Sequence, residues 1–496
     1  MFSSTANPTR TGLRLPGLDL FRLEWAAPAF TAVGVALWVL LAGATSPSQF
    51  ADNMEQFVWA SSLESGYWKH PPLPSWMLWA LIRLFGFWSG WTYVLSGLCL
   101  SGAAFFCWQV ARRLVGARIA GMAVLLQGLH LGFSQRAELY NHNTVLVLFS
   151  AMTVWAVLRA LERERSRDWM FAGACAGLAM LSKYQAVVIL SGIGIALVLS
   201  GELRHRRVRQ GCTWAVATAL IVASPHLAGL ATNLRSPLAY ALSRAQELPL
   251  PSVLWSTLAY LVSQLRFHLP MLAAIAVVAM TAGIRPARRV ETADAMDPLR
   301  LRAWLVGLVL WPLLFVTLLP FWSGMPLQAQ WGLPALQFFV IFVALRMAQA
   351  WPHLSTLGLG RVVLWVHLLN GVVFLGAPLP GDRRVDTAYP ARELADAVLR
   401  DWQGHSHCPL KFVVGPTFEA GLVSVYSGSY AKVLEEGDYR KSPWIDEREL
   451  RRDGFVVMTR GGGPALSGNA APEPAGRRQW PDRLTWFVAP PEAGCD

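Results

Sequence analysis

Charged residues are scarce in this chain of 496 residues. They make up 15% of it, whereas about a quarter is usual in soluble domains. Cysteine is scarce too, with six residues, and this excludes a disulfide scaffold. Hydrophobic residues make up 54%, and the mean hydropathy is +0.37. These proportions exclude a disordered chain and a cytosolic enzyme, and they indicate a membrane protein.

A cleavable signal peptide is also missing, because residues 1–25 hold prolines and acidic residues and have no apolar core. We predict that this segment is cytoplasmic and that the first apolar run is a retained span. Uncharged stretches long enough to cross about 30 Å of hydrocarbon predict about eleven spans. They cover residues 26–45, 88–111, 119–135, 141–158, 169–182, 184–200, 210–234, 267–284, 303–320, 332–350 and 362–380.

Arginine clusters fall in alternate short loops, around residues 112–118, 159–167, 204–209 and 285–302. Basic loops stay on the cytoplasmic side, so the other loops face outward. This arrangement uses most of the net charge of +12, and we predict no nucleic-acid partner. The 23 Trp residues fit belts at the membrane interface.

Two apolar stretches, 71–87 and 251–265, are predicted to lie along the interface rather than to cross it, the first because prolines and Arg83 interrupt it. After residue 380 the charge density rises. Short β-type runs at 410–415, 455–459 and 484–488 and a helical pattern at 391–401 predict an outward α/β domain over 381–496, with a loop from 461. Cys408 and Cys495 both lie there, so a disulfide between them is possible, and an unpaired state is equally open.

Polar and ionisable residues gather on the outward side of the predicted spans. Because such groups are costly near lipid, they indicate a site. The first outward loop, 46–87, carries part of this set, and the loops around 136–140, 183, 264–268 and 328–331 carry the rest. The candidates are Asp52, Glu55, Tyr67, Lys69, His70, Arg136, Glu138, Asn141, His142, Lys183, Gln264, Arg266, His268, Gln330 and Trp331.

A carboxylate among several cations at the membrane surface suits displacement of a phosphate leaving group. The carboxylate can take the proton of an attacking hydroxyl or amine. Lys, Arg and protonated His can stabilise the charge that develops on the departing phosphodiester. A lipid-anchored leaving group would explain the position of the site at the bilayer.

The stretch YWKHPPLPSW with Asp52 at the end of span one resembles the C-type (GT-C) integral-membrane glycosyltransferases, specifically the protein O-mannosyltransferase and lipid A aminoarabinose transferase group and bacterial glycosyltransferase family 39. Further similarity lies in AELYNHNTVLVLF, GLAMLSKYQAVVIL, and LKFVVGPTFEAGLVSVYSG followed by SPWID. The order of these motifs matches the outward topology.

The resemblance implies an inverting transfer of sugar from a polyprenyl-phosphate donor to a periplasmic or outer-leaflet acceptor at the bacterial inner membrane. The acceptor would be lipid A, lipopolysaccharide, another glycan or a protein. Asp52 matches the family's catalytic aspartate and would be the general base. Glu138 is predicted as a second catalytic residue, because it stands near the place of an aspartate at the start of span four.

The donor phosphate is expected to bind Lys69 or His70, together with Lys183 and Arg266. The family has its lysine directly before the double proline, where this chain has His70, so the assignment stays split. The remaining candidates are predicted to bind substrate. Some relatives have a metal-binding acidic residue at the position of Lys69. Its absence argues against a bound metal, a divalent metal stays open, and no other cofactor is implied.

The predicted fold is therefore a mostly α polytopic membrane protein of GT-C type, with a catalytic domain over 26–380 and a periplasmic α/β domain. Other interpretations stay open. A transporter or flippase for a lipid-linked sugar would also have intramembrane cations, and a binding subunit could keep the fold without activity. Asp52 could be a helix cap, and Lys69 and His70 could be anchors that reach lipid headgroups.

Overall fold

The structure is a computed structural model that describes residues 25–232, 240, 249–283, 296–376, 385–460 and 475–492. The predicted segment 1–25 therefore lies outside the described residues except for its last member. The predicted domain boundary at 380/381 and the loop from 461 also lie outside them, and so does Cys495.

Helices dominate the described chain up to residue 376. They are α1 (Ala26–Thr45), α2 (Ala51–Trp59), α3 (Leu73–Phe85), α4 (Trp91–Val115), α5 (Ala117–Gly128), α6 (His142–Arg163), α7 (Ser166–Ser182), α8 (Ala186–Leu199), α9 (Arg206–Thr232), α10 (Leu250–Phe267), α11 (Leu269–Ala282), α12 (Pro298–Leu305), α13 (Trp311–Ser323), α14 (Gly332–Ala335), α15 (Phe339–Ala350) and α16 (Thr356–Leu375). A π-helical segment, Val306–Leu310, joins α12 to α13.

Every predicted span is helical over most of its described residues. Among the described residues, six helices are long and apolar enough to cross a membrane, or eight if each bent pair is counted as one span. The remaining predicted spans lie on α5, α7 and α8, which have 12, 17 and 14 residues. The protein is a multi-pass membrane protein.

Three predicted segments differ in shape from a straight span. Helices α10 and α11 form one bent pair with an angle of 57°, so the predicted interfacial stretch 251–265 continues into the next span. The predicted span 332–350 is broken by 66° between α14 and α15, in a stretch that contains Pro334. The predicted span 119–135 is α-helical only to Gly128 and continues into a 3-10 turn, Leu131–Phe133.

Small residues bring the helices into close contact. A Cβ on Gly173 of α7 would lie 2.1 Å from the carbonyl oxygen of Ala215 on α9. Gly192 of α8 and Gly307 approach each other in the same way. Close backbone approach through small residues is the usual way in which membrane helices associate, since lipid gives them no hydrophobic driving force.

The C-terminal domain has three helices and a five-stranded sheet. The helices are α17 (Ala391–His405), α18 (Thr417–Tyr426) and α19 (Glu447–Asp453), and the strands are β1 (Phe412–Gly415), β2 (Lys432–Glu435), β3 (Phe455–Arg460), β4 (Ala475–Trp480) and β5 (Leu484–Ala489). Their order is β2-β1-β3-β5-β4, parallel over β2, β1 and β3 and antiparallel beyond. The sequence predicted α17, β1, β3 and β5. Cys408 is disulfide-bonded.

The C-terminal domain packs on α2, next to the membrane helices. Gly421 of α18 lies against Met54, where a Cβ would be 3.1 Å from the Met54 Cβ. The backbone N–H of Ala51, at the first turn of α2, donates to Asp386 Oδ2 over 3.1 Å. The tyrosine hydroxyl of Tyr430 donates to the carbonyl of Phe57 over 2.7 Å. Both ends of α2 are thus held from the C-terminal side.

Candidate active site

Asp52 lies in the first turn of α2, beside the start of α6. The side chain of Asn141 caps α6: its Oδ1 accepts from the backbone N–H of Asn143 and of Thr144. Its amide nitrogen then donates to Asp52 Oδ2 over 2.7 Å. The cap therefore fixes both the helix and the orientation of the Asp52 carboxylate.

Asn53 attaches α2 to the predicted outward loop around 136–140. Its amide nitrogen donates to the carbonyl of Glu138 over 3.0 Å, and its Oδ1 accepts from the backbone N–H of Tyr140 over 3.0 Å. The hydroxyl of Tyr140 in turn donates to the carbonyl of Pro74. Two outward loops that are distant in sequence are thereby joined around Asp52.

Lys69 and His70 lie on the turn before Pro71 and Pro72, as predicted from the rigid double proline. Lys69 forms an ion pair with Glu55 of α2. Burial raises the pKa of Glu55 to about 8. Burial by itself lowers the pKa of Lys69, but the Glu55 carboxylate raises it above its ordinary value. Burial lowers the pKa of His70 well below its usual range, and the nearby His142, Lys183 and Lys69 add to this effect.

Lys183 follows α7 in extended conformation and points toward the same region. Its Nζ donates to Asn143 Oδ1 over 2.7 Å and lies 5.6 Å from the ring centroid of Trp331. Gln185 donates from its amide nitrogen to the carbonyl of Trp331 over 3.0 Å. The ammonium group is therefore held by neutral partners rather than by a carboxylate.

These groups line one cavity of about 450 Å³. Nine of the fifteen predicted site residues contribute to its wall: Asp52, Glu55, Lys69, His70, Asn141, His142, Lys183, Gln330 and Trp331. Two carboxyl groups, two amino groups, two imidazoles and several amides thus meet in one space. The structure brings them together from five separate segments of the chain.

The opposite wall of the cavity is apolar. It includes Val187 and Val188 of α8 and the side chains of Phe315, Leu319 and Trp322 on α13. Sequence reasoning missed this wall, because an apolar residue in a span looks the same whether it faces lipid, core or cavity. It also missed Gln185, although this residue lies within the quoted stretch GLAMLSKYQAVVIL, and Tyr240, which no quoted motif includes.

Six predicted residues lie outside this wall. Arg136 borders a neighbouring pocket of about 30 Å³ that shares Asn141, Asn143 and Gln330 with the cavity. Tyr67 stacks on Trp59, and its hydroxyl donates to the carbonyl of Ser62. Arg266 is exposed. The roles proposed for these residues stay predictions.

Gln264 and His268 have structural partners close by. The Gln264 amide nitrogen donates to the carbonyl of Ala329, next to Gln330, and the ring nitrogen Nδ1 of His268 contacts the carbonyl of Gln264. Gln264 therefore contacts the segment 328–332, whereas the hydrogen bond of His268 stays within its own helix.

Glu138 is buried and does not line the cavity. Its Oε2 atom has no hydrogen-bond partner among the described residues. Burial raises the pKa of Glu138 to about 7. Its backbone carbonyl, rather than its carboxyl group, makes the contact with α2. A catalytic role for this side chain stays a prediction.

A group that can hold a metal also lies on the cavity wall. One ligand atom each from Glu55, His70 and His142 fall within 4.8 Å of one another. The rings of His70 and His142 have centroids 4.1 Å apart. Two imidazoles and one carboxylate are a donor set for divalent transition metals.

The chain is similar to known membrane glycosyltransferases in sequence and in fold. Residues 69–228, about a third of the chain, match the family described as dolichyl-phosphate-mannose-protein mannosyltransferase. The crystal structure of ArnT from Cupriavidus metallidurans bound to undecaprenyl phosphate covers 94% of this chain and 98% of its own, with a TM-score of 0.62 and 13% identity. The apo form of that protein gives a TM-score of 0.53 with 14% identity. The chain has a GT-C fold.

Three curated relatives of this GT-C chain come from Rhizobium johnstonii. The lipid A galacturonosyltransferase RgtD is 29% identical over 199 residues, which are 39% of this chain and 41% of the relative. The lipopolysaccharide core galacturonosyltransferase RgtA is 25% identical over 37% of each chain, and RgtB is 29% identical over 41% of this chain and 42% of its own. The matches therefore span less than half of each relative. They confirm the resemblance to GT-C glycosyltransferases found in the sequence.

Proposed function

We propose that this protein is an inverting glycosyltransferase that moves a sugar from a polyprenyl-phosphate donor to an acceptor on the periplasmic side of the bacterial inner membrane. The observation that carries the proposal is the composition of the cavity. Asp52 and Lys183 line one wall, and the apolar side chains of α8 and α13 line the other. A lipid phosphate has the same two parts, an anionic head and an apolar tail.

Asp52 acts as the general base. It takes the proton from the acceptor hydroxyl as the acceptor oxygen forms a bond to the anomeric carbon. The bond from that carbon to the phosphate oxygen breaks, and polyprenyl phosphate leaves with the electron pair. The Asn141 amide, which donates to Asp52 Oδ2, leaves the other carboxylate oxygen for the acceptor.

Lys183 is the main partner of the donor phosphate. Among the described residues its ammonium group hydrogen-bonds to the Asn143 amide oxygen and has Asp52 nearby without a direct ion pair, whereas Lys69 is paired with Glu55. A phosphate oxygen would add the missing negative charge at a buried position, where a charge-assisted hydrogen bond is strong. Lys69 lines the adjoining wall and adds positive charge, and His70 beside it offers a neutral imidazole.

The tail of the donor leaves the cavity along Phe315, Leu319 and Trp322. These side chains belong to the span Pro298–Ser323, so the apolar wall continues along a helix that crosses the membrane. Apolar contact over several isoprene units would supply much of the affinity for the donor, since each buried CH₂ contributes about 0.8 kcal/mol.

The donor sugar is a hexuronate, galacturonic acid, and the acceptor is lipid A or the lipopolysaccharide core. This choice is supported by the names of the three curated relatives. Other glycans and proteins are the remaining acceptor classes that the sequence suggests.

The test is a transfer assay with protein in lipid nanodiscs and radiolabelled polyprenyl-phosphate sugars. The panel contains galacturonic acid, galactose, mannose and aminoarabinose, each with lipid A or core lipopolysaccharide as acceptor. We expect label in the acceptor with the galacturonic acid donor and an inverted anomeric centre in the product. Transfer of a neutral sugar alone would contradict the choice of donor, and absence of transfer from the whole panel would contradict the activity.

A further inference from the structure

Three side chains from three separate elements converge on one part of the cavity wall. Glu55 comes from α2, His70 from the turn before the double proline, and His142 from the first residue of α6. Their ligand atoms lie within 4.8 Å of one another. Glu55 and His142 are 8% and 3% exposed. His70 is half-buried and Glu55 also pairs with Lys69, so the two imidazoles are the groups that a bound species would satisfy.

His142 bonds to the backbone of Pro71, but one of its ring nitrogens lacks a partner within the described chain. Its Nε2 atom is buried and makes no hydrogen bond to any described residue. Burying an imidazole nitrogen without a bond costs free energy, of the order of 1–3 kcal/mol. Such an atom at the edge of a cavity is explained if a bound species completes its coordination.

Aromatic packing holds the two imidazoles in place. The ring centroid of Trp59 lies 5.7 Å from that of His142 and 6.3 Å from that of His70. Trp59 itself stacks on Tyr67 at 4.9 Å. This fixed wall limits the conformations of both rings, which lowers the entropic cost of binding a common ligand.

From this geometry we infer that Glu55, His70 and His142 form a binding site for a divalent transition metal, with zinc as the best match. Zinc accepts two imidazole nitrogens and one carboxylate oxygen and leaves a fourth position open in sites of this composition. Ligand atoms around zinc would be about 3.4 Å apart at bond lengths of about 2.0–2.2 Å, so the three groups would need to approach each other by at most about 1.4 Å.

Lys69 shares Glu55 with the metal. It is paired with Oε2 of that carboxylate and lies 5.0 Å from the ring centroid of Trp68 and 5.7 Å from that of Trp59. The other carboxylate oxygen is left for the metal. The sequence argues against a metal because Lys69 replaces an acidic residue, but the structure supplies a carboxylate from α2 instead.

The metal and the donor phosphate should strengthen each other's binding, a point that rests on the proposed function. Lys69 and Lys183 add positive charge to the same wall, which weakens cation binding when no anion is present. A phosphate offsets that charge and can occupy the open coordination position. By linkage, the gain in metal affinity equals the gain in phosphate affinity.

The test is a metal titration of the detergent-purified full chain, stripped with a chelator, without any sugar substrate. Zinc is titrated in competition with a chromogenic chelator, and cobalt is titrated while its visible absorption is recorded. We expect one tight site per chain and a tetrahedral cobalt spectrum. His70→Ala, His142→Ala and Glu55→Gln should each weaken binding at least 10- to 100-fold, since loss of a supporting group alone has that effect.

Matched controls separate this site from other histidines of the chain. His367→Gln, whose ring contacts Trp38 between membrane helices, should leave the titration unchanged, and Lys69→Gln should tighten binding because it frees Glu55. Thermal unfolding of each variant shows that it is folded. Equal binding by the wild type and all three ligand variants, or no tight site in the wild type, would overturn the inference. Neither result would affect the transfer assay, so the two proposals fail independently.

Discussion

The indole N–H of Trp59 donates to Glu435 Oε1 over 2.7 Å, and this bond joins the helix of Asp52 to the sheet of the C-terminal domain. The second carboxylate oxygen of Glu435 accepts from the hydroxyl of Thr417 over 2.8 Å. With the contacts of Asp386 and Tyr430 to the ends of α2, the C-terminal domain holds this helix at several points. The domain therefore sets the position of Asp52 and Glu55.

Glu435→Ala should reduce both stability and turnover. The substitution leaves the Trp59 N–H and the Thr417 hydroxyl without their acceptor, at a cost of about 1–3 kcal/mol. Thermal unfolding measures the first effect, and the rate of sugar transfer by folded protein measures the second. Glu393→Ala, at an exposed position of α17, is the control and should change neither. A lower unfolding temperature with an unchanged rate would show that the domain does not position α2.

Asn141→Asp should separate helix capping from orientation of the base. An aspartate keeps the acceptor that caps α6, so the unfolding temperature should stay near that of the wild type. The second carboxylate, however, replaces the amide donor at 2.7 Å from Asp52 and repels it. We expect transfer to fall at least about tenfold. Asn141→Ala, which loses the cap as well, should lower stability by about 0.5–2 kcal/mol; equal stability losses in both variants would contradict this account.

Lys183→Gln should weaken donor binding more than it slows the transfer step. A charge-assisted hydrogen bond to phosphate contributes about 1.5–3 kcal/mol, which corresponds to a rise in KM for the donor of about 10- to 100-fold. Lys183→Arg should keep part of the affinity, and Lys432→Gln on β2 is the control for loss of a positive charge. The kinetic constants are measured with varied donor at a fixed acceptor concentration. An unchanged KM would remove Lys183 from the phosphate site.

Glu138 should make the protein less stable as the pH rises. Its pKa is raised by burial from 4.5 to about 7, so the folded state binds more protons than the unfolded state between these values. Stability due to this group is complete below pH 4.5 and is lost as the pH rises toward 7, by about 3 kcal/mol in all. Glu138→Gln should abolish this loss, and the difference in unfolding temperature from the wild type should grow from pH 5 to pH 8. A constant difference would contradict the burial effect.

The sequence was sufficient to locate the polar wall of the cavity. Asp52, Asn141 and Lys183 stand near predicted span ends and Lys69 lies in the loop after span one, and alternating arginine clusters predict that all of them are on one side of the membrane. Ionisable side chains on the same side of the membrane avoid the high free energy of contact with lipid when they face the interior between the spans. They are therefore expected to lie close together. The grouping could therefore be predicted without knowledge of any distance.

The rest required coordinates because its signals are not local. Whether Phe315 and Trp322 face lipid or a cavity depends on how α13 packs, and their hydrophobicity is the same in both cases. Glu138 lies in the right loop, but its side chain turns away from the cavity. In the C-terminal domain, β2 has four residues, KVLE, and too few alternations to reveal a strand. Glu435 and Trp59 are 376 positions apart, and the local sequence around neither residue indicates that they make contact.

The most direct test of the central claim compares Asp52→Asn with the wild type in two assays on the same nanodisc or liposome preparations. One assay measures sugar transfer and the other measures movement of the lipid-linked sugar across the bilayer, with Asp396→Asn at an exposed position as control. We predict that Asp52→Asn lowers transfer about 10²- to 10⁴-fold, the usual contribution of a general base, and that the control keeps the wild-type rate. Equal transfer by wild type and Asp52→Asn would contradict the role of Asp52. Lipid movement by both proteins without any transfer would show a flippase instead of a glycosyltransferase.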